Sequence, residues 1–249
     1  MKMKTLRVLD IDLDFFLDCH ERPQKTQERA EIQYEPWKPE DVTRFLEGNC
    51  GLDLTILPRG KLFIKHDEVY QFCKNLRKEN DRIKFHIDHV DAHADLGIND
   101  AGVIGLFTDI DLIGGGDWIT EGKEKEYELN PGNFLLFFLF QGWLASLTYI
   151  NHSHLLNDDI NTFILSNRND KGSKLCAKYF EDMNDLMADQ NGVESRCISP
   201  VPFFSIDYRQ FNNCHQYDYV LLSQSPDYTP FSSDELIRII SKYFKEEQH

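Results

Sequence analysis

Residues 6–14, LRVLDIDLD, and residues 83–91, IKFHIDHVD, share one design: an apolar run that turns acidic at its carboxyl end. Short runs rich in Val, Ile, Leu and Phe read as buried strands, so both acidic ends are candidate site loops. Working outward, residues 67–78 carry Val69, Tyr70, Phe72, Cys73 and Leu76 at helical spacing, which sets His66 at the start of a helix. Asn130-Pro131-Gly132-Asn133 is a turn and N-cap signal for the apolar run 133–150, read as a buried helix. Residues 162–166 and 218–223 read as short strands, and residues 174–189 and 234–245 as helices. Between the two acidic strands, residues 22–61 are rich in charge, Pro and Gly, a surface excursion with one short helix over 39–47. Strand and helix therefore alternate, which predicts an α/β fold of three layers. Its sheet is mostly parallel, and ligands are received at the carboxyl ends of the strands. We read residues 1–249 as a single domain, with no internal repeat or linker.

Composition narrows the function classes. Lys and Arg number 27 against 42 Asp and Glu, a formal net charge of −15, and an acidic exterior repels nucleic-acid phosphates and anionic lipid. Nucleic acid is not expected as a partner. The run 133–150 is short for a membrane span, contains Gln141 and Gly142 and lacks basic flanks, so no membrane partner is expected. Asp10 and Asp12 interrupt what would be the apolar centre of a signal peptide. The six cysteines, Cys19, Cys50, Cys73, Cys176, Cys197 and Cys214, form no CxxC pair and no zinc spacing. Each is read as an apolar core or surface residue, and the location expected is a reducing cytoplasm.

Chemistry concentrates at the two acidic ends. In extended chain, Asp91, His93 and Asp95 would point to one side while Ala92 and Ala94 point to the other. Asp10, Asp12 and Asp14 repeat the pattern, with Ile11 and Leu13 facing away. Two unit charges about 4 Å apart repel by roughly 1 kcal/mol in water and several times more near a protein interior, so gathered carboxylates need a dication or protons. Carboxylates with imidazoles suit Mn²⁺, Mg²⁺ or Zn²⁺. For proton transfer the candidates are His86, His89, His152 and His154, with His89 first because it shares a strand face with Asp91. Gly114-Gly115-Gly116 could let backbone approach a ligand or be a plain turn, and residues 223–230, SQSPDYTP, are a candidate substrate loop.

At these residues a resemblance becomes specific. Val90-Asp91-Ala92-His93-Ala94-Asp95-Leu96 resembles the Asp-Ala-His-x-Asp motif of the arginase and deacetylase superfamily, and Ile11-Asp12-Leu13-Asp14 is similar to its paired-aspartate motif. The nearest counterpart of the family's Gly-Gly-Asp-His segment is Lys65-His66-Asp67-Glu68-Val69, which lacks the glycines. With Leu129–Asn133 and Ser223–Asp227 added, the chain resembles an uncharacterised family related to arginases. That resemblance implies an arginase-like fold and a two-metal site of about two ions per chain, Mn²⁺ first and Zn²⁺ or Fe²⁺ next. Asp91 would bridge the ions, His93 and Asp95 would bind one each, Asp12 would bridge from the other side, and Asp14 and His66 would complete the shells. Asp10 stands where the family has a small residue. In arginases the paired-aspartate motif comes second, whereas here it comes first, which implies a permuted strand order or a different topology. No counterpart of the family's substrate-recognising Glu is found.

The expected activity is hydrolysis of a C–N bond, amide or guanidino, in a small-molecule substrate, by water activated at the metals. His89 and His154 are the expected proton-transfer residues. Two rivals remain. A haloacid-dehalogenase-type phosphatase would use Asp10 or Asp12 as nucleophile but leaves Asp91, His93 and Asp95 unexplained. A non-catalytic, metal-stabilised binding module would bind ions without turnover.

Overall fold

The computed structural model describes residues 3–18, 23, 25, 26, 29, 34–97, 101–108, 123–152, 164–166, 173–188 and 197–247. Its frame is a nine-stranded sheet ordered β11-β4-β10-β1-β5-β6-β9-β8-β7. The strands are β1 (Lys4–Asp12), β4 (Arg59–Phe63), β5 (Ile83–Val90), β6 (Leu144–Asn151), β7 (Leu165–Ser166), β8 (Ser173–Lys178), β9 (Cys197–Asp207), β10 (Tyr219–Ser223) and β11 (Lys245–Glu246). From β11 to β9 all neighbours run parallel, and β8 and β7 close one edge antiparallel. A separate two-stranded pair joins β2 (Leu17–Asp18) to β3 (Glu35–Pro36).

Helices cover both faces. One carries α2 (Glu68–Glu79), α3 (Ala101–Thr108) and α5 (Phe134–Phe140), and the other α1 (Pro39–Gly48) and α7 (Asp234–Ile240). Two short helices, α4 (Lys123–Glu126) and α6 (Met183–Ala188), complete the set among the described residues. The sheet's alternation explains where the polar ends go. On β1, Leu6 and Val8 face the first layer and Leu9 and Ile11 the second, so Asp10 and Asp12 continue the first face past its apolar part. On β5, Ile83, Phe85 and Ile87 face that same layer and His89 follows them; on β10 Leu221 is followed by Ser223. Register aligns these ends, Asp10 with His89 and Asp12 with Ser223.

Two expected helices are corrected. The run 133–150 is half helix and half strand: Gly142, at φ +63°, ends the helix in the left-handed region glycine tolerates, and Leu144–Asn151 then becomes β6 between β5 and β9. Over 174–189, Leu175 and Cys176 instead pair with β9 as β8, and only Met183–Ala188 is helical. Buried apolar runs of this length fit either element, and pairing decided. The closing helix is shorter than expected, ending at Ile240, and the tail joins the sheet as β11. β4, which begins inside the stretch read as surface excursion and runs past its end, also went unforeseen. The cysteine reading is corrected too, because Cys176 and Cys197 form a disulfide across β8 and β9. Cysteine spacing therefore no longer argues for a reducing compartment. No helix among the described residues is long and apolar enough to cross a membrane.

Phe138 is fully buried and packs its ring against Tyr70, Phe85 and Trp143. Phe138→Ala should destabilise the fold by about 3–5 kcal/mol, read as a lower urea midpoint; an unchanged midpoint would contradict this packing.

Candidate metal centre

Four chain segments meet at the carboxyl edge of β1. Asp10 and Asp12 close the strand itself, and Asp12 then caps a 3-10 turn, Leu13–Phe16, by accepting from the Asp14 backbone N–H at 3.1 Å. That turn, not continued extended chain, aims Asp14. After β5 the backbone bends as well: the Asp91 carboxylate accepts from the His93 N–H at 2.7 Å, and Asp95 sits at φ +50°. The strict alternation expected for both motifs thus ends at Asp12 and Asp91. The bends send Asp95 toward His66 and His93 toward Asp14. His66 lies in the turn between β4 and α2, as its place before a helix suggested.

The convergence is tight and dry. His66 Nδ1 lies 2.9 Å from Asp12 Oδ2, 3.1 Å from Asp91 Oδ2 and 3.0 Å from Asp95 Oδ2. One ring proton cannot serve three carboxylates, and His66 Nδ1, Asp91 Oδ2 and Asp95 Oδ2 are all buried without a hydrogen-bond partner. Ligand atoms of His66, His89, Asp91 and Asp95 lie within 4.8 Å of one another, as do those of Asp14, Asp91 and His93. Asp91 belongs to both groups. The site is therefore a buried His/Asp cluster that could hold a divalent metal ion: orphaned ligand atoms facing one another are what a cation would satisfy, and hard oxygens with imidazole nitrogens suit it.

Hydrogen bonds, several of them within the cluster, position the candidate ligands. Asp10, fully buried, accepts from His66 Nε2 at 3.1 Å and from His89 Nδ1 at 2.9 Å. His89 Nε2 donates to the His93 carbonyl at 3.2 Å. His93 donates from Nδ1 to Asp14 at 3.0 Å and from Nε2 to the Pro23 carbonyl at 3.1 Å. His89 and His93 each face two acceptors, so without a metal both rings carry both protons. Charges shift accordingly. Burial works against the imidazolium of His89, but its hydrogen bond to Asp10 and the charge of Asp91 outweigh this and raise it to about 9. His66 and His93 are raised well above the usual range, their neighbouring carboxylates overcoming burial. Burial and the charges of Asp12 and Asp91 push Asp14 well up, and burial with Asp91 brings Asp95 to about 7. Asp10 and Asp91 are held low despite burial, by His66 and His89 for the first and by His66, His93 and His89 for the second.

All seven expected ligands, Asp10, Asp12, Asp14, His66, Asp91, His93 and Asp95, lie in this cluster or against it. His89 is here too, but enclosed. His154 and the glycine run 114–116 fall outside the described residues. His152 lies apart, donating to the Phe15 carbonyl at 2.8 Å, and His86 sits beside Ser146.

Ser223, Ser225 and Tyr228 come from the expected substrate loop 223–230, whereas Phe134 and Tyr149 were not foreseen at the site. Ser225, at φ +48°, donates its hydroxyl to Asp12 Oδ2. Ser223 is buried beside Asp12 with no hydrogen-bond partner for its hydroxyl. Phe134 packs 4.7 Å from the His66 ring, Tyr149 donates to the Ala92 carbonyl, and Tyr228 covers the His93 ring at 5.3 Å. The signal for the two serines and Tyr228 was their place at and just after the end of a buried strand. Compared with models of protein families the chain matches none, and no curated protein matches it.

The cluster fixes a pH dependence for the metal-free protein. The three imidazoliums have folded pKa values above the unfolded value near 6.5, so their stabilisation is complete below that pH and is lost as pH rises through the folded values, about 9 for His89. Asp14 and Asp95, also raised, lose stability in the same direction. Asp10 and Asp91, lowered, contribute constantly above the ordinary carboxylate range. Chelator-treated protein should therefore have a lower urea midpoint at pH 9 than at pH 6.5, and Mn²⁺ should restore it at pH 9, where the ligands deprotonate readily. A higher midpoint at pH 9 without metal would contradict this charge assignment.

Proposed function

We propose that this protein is a metal-dependent hydrolase of C–N bonds, amide or guanidino, and a distant relative of the arginase and deacetylase superfamily. The observation that carries the reading is Asp91, a buried carboxylate common to two ligand groups, one with His66, His89 and Asp95 and the other with Asp14 and His93. A carboxylate shared in this way is what two adjoining cations require, and bound divalent metal supplies a water of lowered pKa and a Lewis acid for the substrate oxygen or nitrogen.

The chain's own residues then have separable tasks. Asp10 orients His66 and His89, fixing which ring nitrogen faces the centre, and Ser225 does the same for Asp12. Phe134 and Tyr149 wall off the inner side and exclude water. His93, whose side chain is 27% exposed, marks the outer side, with Tyr228 beside it, so a substrate would approach there. His89 has no exposed surface and both ring nitrogens engaged, which fits holding Asp10 and Asp91 in place better than meeting a leaving group. The same burial weighs against Asp10 as a phosphatase nucleophile, because it is enclosed between two imidazoles and has no face for a phosphoryl group.

Mn²⁺-loaded protein assayed against panels of amides and guanidines should turn over at least one class. Asp91→Asn should abolish that turnover, and Asp10→Asn should lower metal affinity or activity by about 10- to 100-fold while the fold persists. Metal binding without turnover on any panel would leave only the binding module. Mg²⁺-dependent release of phosphate from para-nitrophenyl phosphate would favour the phosphatase.

A further inference from the structure

A cavity of about 450 Å³ opens beside α1, lined by residues that directly follow β1's turn, β6 and β9. That volume is in the range of small-molecule sites, and carboxyl strand ends are where α/β sheets receive ligands. None of its described lining residues belongs to the metal cluster; the turn Leu13–Phe16 stands between the two.

Its inner surface is aromatic. Phe45 and His152 are buried, whereas Trp37 and Tyr208 are half-exposed. Their rings touch one another, Trp37 to Tyr208 at 5.2 Å, Trp37 to His152 at 5.6 Å and His152 to Tyr208 at 4.9 Å, in tilted and edge-on contacts that make one aromatic cluster, with the Arg209 guanidinium 5.6 Å from the Tyr208 ring. The rim is acidic in a particular way. In the β2–β3 pair Asp18 stands directly opposite Glu35, and both are exposed. Like charges facing each other across an antiparallel pair repel. Of the cations in the lining, Arg44 is paired with Asp41 at 2.7 Å, which leaves Lys38 against two carboxylates.

We propose that this cavity is a ligand site separate from the metal centre, and that it takes an organic ammonium ion carried on a small apolar body. The two features ask for the same partner. An aromatic face attracts a cation through its quadrupole, with Trp the strongest such face, and the opposed Asp18 and Glu35 are relieved by positive charge. The chain's net charge of −15 concentrates cations and repels anionic ligands. A neutral ligand of the same shape would fill the apolar floor but leave the carboxylate pair uncompensated.

Choline and its uncharged isostere 3,3-dimethylbutan-1-ol, titrated calorimetrically into the full-length protein, separate charge from shape. Choline should bind saturably, and the isostere at least about fivefold more weakly, as a cation–π contribution requires. The double variant Asp18→Asn/Glu35→Gln, changed only at exposed positions, should lose most of that preference. Trp37→Leu should weaken both ligands, and Asp91→Ala should leave choline affinity unchanged. Equal affinity for the two compounds, no saturable binding, tighter binding of acetate, or loss of choline binding in Asp91→Ala would each overturn the proposal.

Discussion

Five carboxylates, Asp10, Asp12, Asp14, Asp91 and Asp95, are buried at one end of the sheet with the imidazoles of His66 and His89 and beside the partly exposed His93, and the rest of the molecule is arranged around that charge. At about 4 Å a pair of like charges repels by roughly 4 kcal/mol at the effective dielectric near a protein surface. Five of them persist only with opposing charge close by. In the metal-free chain protons on His66, His89 and His93 supply it; a divalent cation would supply it without the mismatch that leaves His66 Nδ1 facing three oxygens.

The fold answers this constraint by register and by strain. Parallel alignment of β1 with β5 and β10 puts Asp10 level with His89 and Asp12 level with Ser223, so ligands from distant parts of the sequence arrive at one height. Among the described residues, two of the three non-glycine residues with positive φ, Asp95 and Ser225, belong to the site. Unfavourable backbone of this kind is held in place by its surroundings and gathers where function needs a particular geometry. The aromatic wall of Phe134 and Tyr149 keeps water from screening the charges.

Much of this was legible in the sequence because the decisive segments announce themselves. An apolar run ending in alternating acids reads as a strand whose end carries a polar site, and β1 and β5 are such runs. What escaped has physical reasons. The run 133–150 is apolar throughout, so periodicity could not separate α5 from β6, and the break rests on Gly142 alone. Leu175 and Cys176 were claimed by an antiparallel neighbour, a long-range pairing that local spacing does not encode. Within the site, the residues that gather were readable but the direction of their side chains was not. Asp14 and Asp95 are aimed by a 3-10 turn and a left-handed residue, whereas extended alternation would have aimed them elsewhere. The aromatic cavity was invisible for the same reason, since Trp37, His152 and Tyr208 come from three separate segments.

Binding of divalent metal separates a catalytic centre from a buried cluster held only by protons. Mn²⁺ titrated into chelator-treated protein, with bound metal counted by elemental analysis in the wild type and in Asp91→Ala, tests this directly. Binding of about two ions per chain in the wild type, lost when the shared carboxylate is removed from a protein that still folds, is the predicted result. A folded wild type that binds no Mn²⁺, Zn²⁺ or Fe²⁺ would contradict it, and the cluster would then be a proton-stabilised core with no catalytic role.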